Sequence, residues 1–546
     1  MLGLMQDSPL LLSMLIRHAD RHHGDVEIVS RRVEGDLHRY TYRDMHRRAQ
    51  RLANALHALG IGDGERVATL AWNGYRHMEL YYGVSGKGAV MHTINPRLIP
   101  DQAAWIANYA GDRALFFDLT FLPVAEKVAA QCRSIEHYVL LAGRERMPAS
   151  STIPNLLCYE DLLAAAPETY RWPSFDENRA CTICFTSGTT GNPKGVVYSH
   201  RSTLLHAWAS ALPDSLGISA RDVILPVVPM FHVNAWGIPY AAAMAGAKLV
   251  FPGAALDGKS VYELIESEKV TLSAGVPTVW QGLLAHVESV GGKFSTMRRT
   301  IVGGSALPPA MQQAFEKRYD VEARHAWGMT EMSPVGTVCV LRASHDALTP
   351  DERLRIKSSQ GRAVFGVDMK IVGPGGEELP WDGKSAGDLL VRGPWIVREY
   401  FNGEGGDPLV TGKDGLTWFP TGDVATIDAE GYMRITDRTK DVIKSGGEWI
   451  SSIEVENIAV SHPAIALAAC IGAPHPKWDE RPLLIALRKP GATVTREELL
   501  RHYEGRTAKW QVPDDVVFVE AIPLGATGKV QKNKLREQYR DHFTKG

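Results

Sequence analysis

The chain has 546 residues, of which 45% are hydrophobic and 22% are charged. This composition excludes a wholly disordered, collagen-like or coiled-coil chain, and the length favours two or more domains. Its 60 basic and 62 acidic side chains give a formal net charge of −2, so the chain as a whole shows no sign of binding nucleic acid.

The six cysteines do not make a disulfide framework in a chain of this length. Only Cys181 and Cys184 are spaced as C-x-x-C, and no second pair of Cys or His lies nearby at zinc spacing. We therefore predict a buried strand there and free thiols in a cytoplasmic protein. Residues 1–15 lack a basic start and a small-residue cleavage site, and no apolar run reaches the roughly 18 residues that span a bilayer. We expect a soluble protein with no integral membrane association.

Helix and strand patterns alternate through the first half of the chain. Thr41 and Asp44 form the pattern of a capped helix start, an apolar face follows, and Gly60 ends the helix. The next elements alternate in type: a strand over 67–72, a helix over 76–84, and strands near 90 and over 114–118. Alternation at this spacing predicts an α/β fold with largely parallel sheets.

The pattern changes at three places further along the chain. Residues 143–178 are poor in periodic pattern and predict a surface connection with one short helix near 159–166. Residues 402–415 are rich in Gly and Asp and predict a loop. After about residue 437 a compact run of strands and helices begins again. This restart predicts a domain boundary that divides the chain into 1–437 and 438–546.

The strongest sign of chemistry is the segment TSGTTGNPKG over 186–195. It follows a predicted strand and precedes a predicted helix. Its glycines let backbone N–H groups approach an anion closely, its hydroxyls add donors, and Lys194 adds positive charge. It is not a Walker A loop, because Gly195 stands where that loop has Ser or Thr. The phosphate-binding residues predicted here are Thr186, Ser187, Gly188, Thr189, Thr190, Gly191 and Lys194.

This segment resembles the phosphate loop of the adenylate-forming enzymes, which include acyl-CoA synthetases, peptide-synthetase adenylation domains and firefly luciferase. The resemblance covers essentially the whole chain, because further family motifs follow in the same order. They are GGSA at 303–306, WGMTE at 327–331, TGD at 421–423, DRTKD at 437–441, KSGGE at 444–448 and GK at 528–529. The resemblance implies a large N-terminal domain of stacked mixed sheets with helices, and a small mobile α+β C-terminal domain.

The resemblance also implies how ATP is bound. Trp327 offers a flat face to adenine, Asp423 accepts the ribose hydroxyls, and Arg438 reaches ribose or phosphate. Glu331 is the carboxylate expected to hold Mg²⁺ together with the Thr186 hydroxyl, since a hard cation prefers oxygen ligands. The remaining nucleotide contacts that the motifs predict are Gly303, Gly304, Ser305, Ala306, His325, Ala326, Gly328, Met329 and Thr330.

Lys529 is the residue expected to act in adenylation, by binding the substrate carboxylate and stabilising charge on the α-phosphate. In this family the small domain then rotates to admit the thiol of CoA, and Lys440 matches the hinge. Gly446 and Gly447 match the face that admits the pantetheine arm, because missing side chains leave room there. The other predicted contacts on this side of the cleft are Lys444 and Trp449.

The segment PMFHVNAWG over 229–237 matches the acid-binding segment of the family. His232 is expected to close the floor of the site near the substrate carboxylate. Relatives that activate amino acids usually carry an Asp here to pair the ammonium group. This segment has none, which favours an acid without an α-amino group. The residues predicted to line an apolar pocket are Val233, Trp236, Tyr240, Val276, Met332 and Val335.

Within the family the chain most resembles bacterial medium- and long-chain fatty acyl-CoA synthetases and methylthiopropionate-CoA ligases, and we favour a medium-chain fatty acid. Trp236 either caps a short pocket or acts as a movable gate to a longer one, and the sequence leaves both open.

The alternatives of another functional class are delivery of the acyl group to a carrier protein, luciferase-like oxidation, and a catalytically silent nucleotide sensor. A silent protein would lack Lys529, Glu331 or Asp423, and all three are present. The resemblance further implies a homodimer.

Overall fold

The computed structural model describes residues 1, 3–186, 193–445, 448–525 and 529–544, with the backbone alone at 448 and 449. All six cysteines are buried free thiols. Across the described ranges, no helix is long and apolar enough to cross a bilayer.

The helices are α1 (Leu12–His23), α2 (Tyr42–Ala58), α3 (Tyr75–Gly86), α4 (Pro100–Ala110), α5 (Leu122–Gln131), α6 (Tyr159–Ala165), α7 (His200–Ala211), α8 (Val233–Trp236), α9 (Ile238–Ala245), α10 (Gly258–Ser267), α11 (Pro277–Ser289), α12 (Pro309–Gln313), α13 (Pro350–Lys357), α14 (Ser452–Val460), α15 (Arg496–Arg501) and α16 (Lys532–Gln538). The strands are β1 (Glu27–Arg31), β2 (Leu37–Thr41), β3 (Arg66–Leu70), β4 (Val90–Thr93), β5 (Asp112–Phe117), β6 (His137–Leu140), β7 (Leu157–Cys158), β8 (Ala180–Phe185), β9 (Gly195–Ser199), β10 (Val223–Pro226), β11 (Lys248–Phe251), β12 (Leu272–Gly275), β13 (Arg299–Val302), β14 (Glu322–Gly328), β15 (Val335–Val338), β16 (Arg362–Ala363), β17 (Asp368–Val372), β18 (Gly387–Arg392), β19 (Val410–Thr411), β20 (Thr417–Ile427), β21 (Met433–Arg438), β22 (Ile443–Ser445), β23 (Glu448–Ile450), β24 (Ile465–His475), β25 (Asp479–Arg488) and β26 (Asp515–Val519).

Helix α2 shows why the local sequence patterns are reliable at helix ends. The Thr41 hydroxyl accepts the backbone N–H of Asp44, and the Asp44 carboxylate accepts the backbone N–H of Thr41. This reciprocal cap satisfies donors that the first turn leaves free. The chain leaves the helix through Gly60 at φ +74°, a conformation that costs glycine little. The predicted start and end of this helix are confirmed.

A seven-stranded sheet carries the phosphate-loop segment at one edge. Its strand order is β7-β6-β5-β3-β4-β8-β9, and every neighbouring pair is parallel except the last. Strands β8 and β9 pair antiparallel and flank residues 186–194. The segment therefore leaves the sheet at the carboxyl end of β8, where ligands bind in open parallel sheets.

A nine-stranded sheet lies across a helical layer from the first sheet. Its order is β16-β15-β14-β13-β12-β10-β11-β1-β2, with parallel pairing from β14 to β1 and antiparallel pairing at both ends. Helix α3 contacts β4 and β8 of one sheet and β1 of the other, and all of its residues are buried. A helix that is buried all round marks the centre of the molecule.

A third, antiparallel sheet has the order β17-β18-β20-β19, with β21 paired to β20. The β20–β21 register sets Asp423 directly opposite Arg438. Strand β19 falls within residues 402–415, which were predicted to be a loop throughout. It covers only Val410–Thr411, too short a run to give a sequence signal.

The last hundred residues form a separate small sheet of order β23-β22-β25-β24, with β26 beside β25, covered by α14 to α16. It has its own apolar core, in which Leu499 and Tyr503 are fully buried. The Ser452 backbone N–H donates to the Asp437 carboxylate at 2.6 Å, which ties the first helix of this unit to the end of β21. The predicted class is confirmed: an α/β chain with a large N-terminal part of stacked mixed sheets and a small C-terminal α+β part.

Candidate active site

The neck of the phosphate-loop segment is closed by two hydrogen bonds. The Thr186 backbone N–H donates to the Lys194 carbonyl at 2.9 Å, and the Lys194 N–H donates to the Thr186 hydroxyl at 3.1 Å. These contacts bring both ends of the segment to one point. The tip itself, with the predicted residues Ser187, Gly188, Thr189, Thr190 and Gly191, lies outside the described residues.

The acid-binding segment contains a left-handed turn. The four residues of α8 have φ between 47° and 58°, and Gly237 follows at 74°. Three of the four, Val233, Ala235 and Trp236, have side chains that normally avoid this region. The left-handed conformation costs roughly 1–2 kcal/mol per residue, so the surrounding structure must hold the turn in place.

Two buried asparagines hold this segment. The Asn73 amide donates to the carbonyls of Pro226 and Val228 at 2.8 Å each and accepts the Met230 N–H at 2.7 Å. Asn234 lies inside the turn, and its side-chain oxygen accepts the Tyr81 hydroxyl at 3.2 Å. Sequence reasoning missed Asn73, which lies in a strand-to-helix connection with no motif around it.

His232 lines a small cleft together with Thr186, Phe185 and Phe231. Burial, together with repulsion from the Lys529 ammonium, lowers the pKa of His232 to about 4. The imidazole is therefore neutral at pH 7 and can pair with a carboxylate by a hydrogen bond. His232 was predicted to close the floor of the site near the substrate carboxylate, and that role stays a prediction.

The Trp236 indole of the acid segment packs against the GGSA motif. A Cβ added at Gly303 would lie 3.0 Å from the ring of Trp236 and 2.9 Å from the Ala326 carbonyl. One at Gly304 would lie 3.1 Å from Val276. The absent side chains at 303 and 304 thus let Trp236 and Val276 approach this loop.

The other predicted pocket residues are deeply buried nearby. Met332 lies beside Gly336, where an added Cβ would be 2.6 Å from the thioether methyl. Val233 and Val335 are almost fully buried. The Tyr240 ring contacts Tyr81 and Tyr82 at centroid distances of 5.5 and 6.0 Å, which places it in the helical layer behind the turn.

Glu331 lies in a short turn after β14 and is 9% exposed. Its carboxylate accepts the Tyr400 hydroxyl at 2.9 Å, and its carbonyl accepts the Val397 N–H at 2.8 Å. The preceding Thr330 carbonyl accepts the Tyr198 hydroxyl at 2.7 Å. Sequence reasoning missed Tyr400, because nothing in the local pattern links it to a residue 69 positions away.

Trp327, Asp423 and Arg438 form one connected group. The Trp327 indole N–H donates to Asp423 at 2.9 Å, and the Arg438 guanidinium lies 2.7 Å from the other carboxylate oxygen. Burial raises the pKa of Asp423, and both partners oppose that shift. His325 stands two residues earlier on β14, where its ring accepts the Leu307 N–H at 3.3 Å beneath the GGSA loop. Burial lowers the pKa of His325 to about 4.

Lys529 lies among the charged groups of the nucleotide site. Its side chain is exposed to solvent, and charged groups from both parts of the chain lie close enough to act on it. Burial and the neighbouring Arg438 lower its pKa to about 8, while the carboxylates of Asp423 and Glu331 oppose the shift. An ammonium group beside two carboxylates and a guanidinium can neutralise charge on a bound phosphate.

Of the residues predicted to serve the thiol, Lys444 lies in β22. The Lys444 backbone N–H donates to Glu480 at 3.0 Å, and its side chain is exposed. Next to the predicted hinge Lys440, Asp441 pairs with Arg536 of α16. Gly446, Gly447 and the side chain of Trp449 lie outside the described residues.

Comparison with known families identifies the family of the chain. The AMP-binding enzyme family matches residues 15–401, and the AMP-binding enzyme C-terminal domain matches residues 454–529. The chain belongs to the AMP-binding enzyme family. Its small C-terminal part is the domain expected to supply Lys529.

Two curated relatives match over nearly their whole length. The chain is 52% identical over 544 residues to the 3-methylmercaptopropionyl-CoA ligase of Ruegeria lacuscaerulensis, which covers 100% of both chains. It is 51% identical over 541 residues to the medium-chain-fatty-acid–CoA ligase of Ectopseudomonas oleovorans, covering 99% of this chain and 98% of the relative. The expectation of an AMP-forming acyl-CoA ligase with ATP and CoA as substrates is confirmed.

The fold also matches a solved structure. The crystal structure of the anthranilate CoA ligase AuaEII in complex with anthranoyl-AMP superposes with a TM-score of 0.85 at 25% identity, covering 99% of this chain and 100% of that one. That structure holds an acyl-adenylate, the kind of intermediate predicted for this family member.

Proposed function

We propose that this enzyme activates a medium-chain fatty acid as its acyl-AMP and transfers the acyl group to CoA. The observation that carries the proposal is the apolar acid segment, in which a neutral His232 stands beside Lys529 and no acidic side chain is present over 226–237. An amino acid would leave its ammonium group unpaired there. The alternatives within the class are 3-(methylthio)propionate, which one relative's name supports, and a long-chain fatty acid.

The reaction proceeds in two steps. The substrate carboxylate attacks the α-phosphorus of ATP, a new P–O bond forms, and pyrophosphate leaves with the electrons of the broken P–O bond. The CoA thiol then attacks the acyl carbon, a C–S bond forms, AMP leaves, and the thiol proton passes to solvent. AMP is a far better leaving group than the oxide that direct attack would require.

Three side chains have roles in the first step. Lys529, whose pKa of about 8 leaves it mostly charged at pH 7, binds the carboxylate and the α-phosphate. Asp423 accepts the ribose hydroxyls, and Arg438 beside it adds positive charge. Charges fixed in advance around the reacting phosphate stabilise the transition state more than water does.

Thr186 and Glu331 are the residues proposed to hold Mg²⁺. Their hydroxyl and carboxylate oxygens suit a hard cation, and Glu331 is shielded from bulk water. Among the described residues no group of three His, Cys, Asp or Glu could hold a metal alone, so the nucleotide's phosphates would complete the coordination. When bound, Mg²⁺ neutralises phosphate charge and orients the leaving pyrophosphate.

For the second step we propose that residues 438–546 turn about Lys440 and present Gly446 and Gly447 to the pantetheine arm. The contacts that support a boundary near residue 437 are local to the junction: Ser452 with Asp437, and Asp441 with Arg536. The Asp441–Arg536 pair can travel with the small domain, because both partners lie beyond Lys440, whereas the Ser452–Asp437 bond crosses the hinge and must open.

We also propose a cytoplasmic homodimer, which the family resemblance supports. Light scattering coupled to size-exclusion chromatography should then give twice the chain mass of 60.0 kDa. A mass near 60 kDa at micromolar concentration would contradict the dimer.

The experiment that tests the substrate is pyrophosphate release with ATP, Mg²⁺ and CoA across straight-chain acids from acetate to palmitate, with 3-(methylthio)propionate included. We expect the highest kcat/KM at medium chain length, with CoA required for multiple turnovers. A maximum at 3-(methylthio)propionate or palmitate would overturn the chain-length proposal and leave the enzyme class intact. Reactions without CoA and without ATP are the controls.

A further inference from the structure

Tyr400 lies between two nucleotide-binding segments that belong to different sheets. Its hydroxyl donates to the Glu331 carboxylate at 2.9 Å, and its ring lies 4.7 Å from the Lys194 ammonium. We propose that Tyr400 is a positioning residue that orients Glu331 for the metal ion and holds Lys194 at the polyphosphate of ATP. The inference rests on the proposed Mg²⁺ role of Glu331 and adds a residue that no motif contains.

The contact with Glu331 fixes the carboxylate without neutralising it. Tyr400 occupies one carboxylate oxygen, Oε1, while Oε2 accepts no hydrogen bond from any described residue. The Val397 N–H, three residues before Tyr400, holds the Glu331 backbone carbonyl at 2.8 Å. An Arg or Lys partner would compete with a cation for the carboxylate's charge. A neutral hydroxyl sets its direction and leaves the charge available.

The contact with Lys194 fixes a flexible side chain. An ammonium group over an aromatic face is attracted by the negative face of the ring. The chain that follows Tyr400 also covers Lys194 closely, because a Cβ added at Gly405 would lie 2.3 Å from the ammonium nitrogen. Gly405 also has φ +79°, a conformation that costs glycine little. Glycine therefore suits this position both by its backbone conformation and by its lack of a side chain over Lys194. A lysine held in this way loses less freedom when it binds phosphate.

The two contacts together add a second link between parts of the site that the Tyr198–Thr330 hydrogen bond also joins. Lys194 directly precedes β9 of the seven-stranded sheet, whereas Glu331 follows β14 of the nine-stranded sheet. Tyr400 comes from the connection after β18 of the third sheet and touches both. A third element therefore helps to set the spacing between the Glu331 carboxylate and the Lys194 ammonium before ATP binds, which is preorganisation of the site.

The test measures binding without any acid or CoA, so it does not depend on the substrate proposal. Tyr400→Phe keeps the ring and removes the hydroxyl. We expect Mn²⁺ to bind the ATP complex of this variant about tenfold more weakly than that of the wild type. Electron paramagnetic resonance measures the bound Mn²⁺. ATP affinity in EDTA, followed by calorimetry, should change less than about twofold. Tyr400→Leu should weaken ATP binding in EDTA as well, because Lys194 then loses its aromatic face.

The matched control is Tyr109→Phe. The Tyr109 hydroxyl donates to Glu404 at 3.1 Å in the same connection but does not touch Glu331. Its Mn²⁺ affinity should equal that of the wild type. A double-mutant cycle with Glu331→Gln adds a second test, since Tyr400→Phe should have little further effect on metal affinity once the carboxylate is gone.

Two results would overturn the proposal. One is equal Mn²⁺ affinity of the Tyr400→Phe and Tyr109→Phe proteins. The other is full additivity of Tyr400→Phe and Glu331→Gln, which would mean that Tyr400 acts through some other group. If the wild type binds Mn²⁺ and ATP yet turns over no acid, the substrate proposal fails, and the Tyr400 proposal is still decided by the Mn²⁺ affinities of the variants.

Discussion

The Trp327 indole N–H donates a 2.9 Å hydrogen bond to the carboxylate of Asp423. The two residues are 96 positions apart and come from different sheets, yet the bond couples the proposed adenine platform to the proposed ribose acceptor. Trp327 offers a flat face, and its indole N–H also sets the direction of the carboxylate.

Trp327→Phe should raise the KM for ATP by about tenfold or more. The variant keeps an aromatic face but removes a hydrogen bond to a charged group, which is worth about 1.5–3 kcal/mol. Steady-state kinetics with varied ATP measures the effect. The matched control is Trp418→Phe, since the Trp418 indole N–H also donates to a carboxylate, that of Asp414 at 3.0 Å, at a site with no proposed ligand. An equal KM in both variants would contradict the coupling.

Lys529→Ala should lower the rate of acyl-AMP formation by at least about 100-fold, because it removes the ammonium that stabilises charge on the α-phosphate. Conversion of supplied acyl-AMP to the thioester should remain largely intact. Rapid-quench measurement of each half-reaction separates the two steps. Lys534, five residues on and exposed, provides the control Lys534→Ala. Equal loss of both half-reactions would indicate a folding defect and not a catalytic role.

The adenylation step should depend on pH through Lys529. The pKa of this lysine is lowered from 10.5 to about 8, so the charged form predominates below pH 8 and is lost above it. We therefore expect kcat/KM for ATP, which reports the free enzyme, to fall as the pH rises through about 8. In Lys529→Arg the decline should disappear, since a guanidinium stays charged. If kcat/KM for ATP falls with the same midpoint in Lys529→Arg, the titrating group is not Lys529.

Trp236→Ala should move the acid preference toward longer chains. The indole is 8% exposed and lies against Gly303, so its removal opens space at the end of the acid segment. The kcat/KM for medium-chain acids should fall by about tenfold as apolar contacts are lost. The same acid series measures both effects. Trp208→Ala, at an exposed position of α7, is the control. An unchanged ranking of acids would exclude Trp236 as the pocket wall.

The features that could be predicted from the sequence are those encoded by residues next to one another in the chain. Alternating patterns gave the α/β class, and the cap at Thr41 gave a helix start. Lys529, Glu331 and Asp423 were each predicted from short motifs, and the fold brings the three together. Their grouping could be expected because each motif contributes to binding one nucleotide.

The supporting contacts could not be predicted, because they join residues that are distant in sequence and ordinary in type. Tyr400 and Asn73 stand in no motif, and their roles follow only from where the sheets place them. The left-handed turn was also missed. Val233 and Trp236 favour right-handed or extended backbone, so local preference predicts the opposite of what tertiary contacts impose.

The left-handed turn bears on how enzymes of this kind diverge. Its conformation is costly and is held from outside by Asn73 and Tyr81, neither of which lines the acid site. A substitution at either residue should loosen the turn and move the Trp236 indole with no change in the lining. Selection can therefore alter which acid is accepted through residues remote from the ligand. Comparing lining residues alone would then miss the cause of a changed specificity.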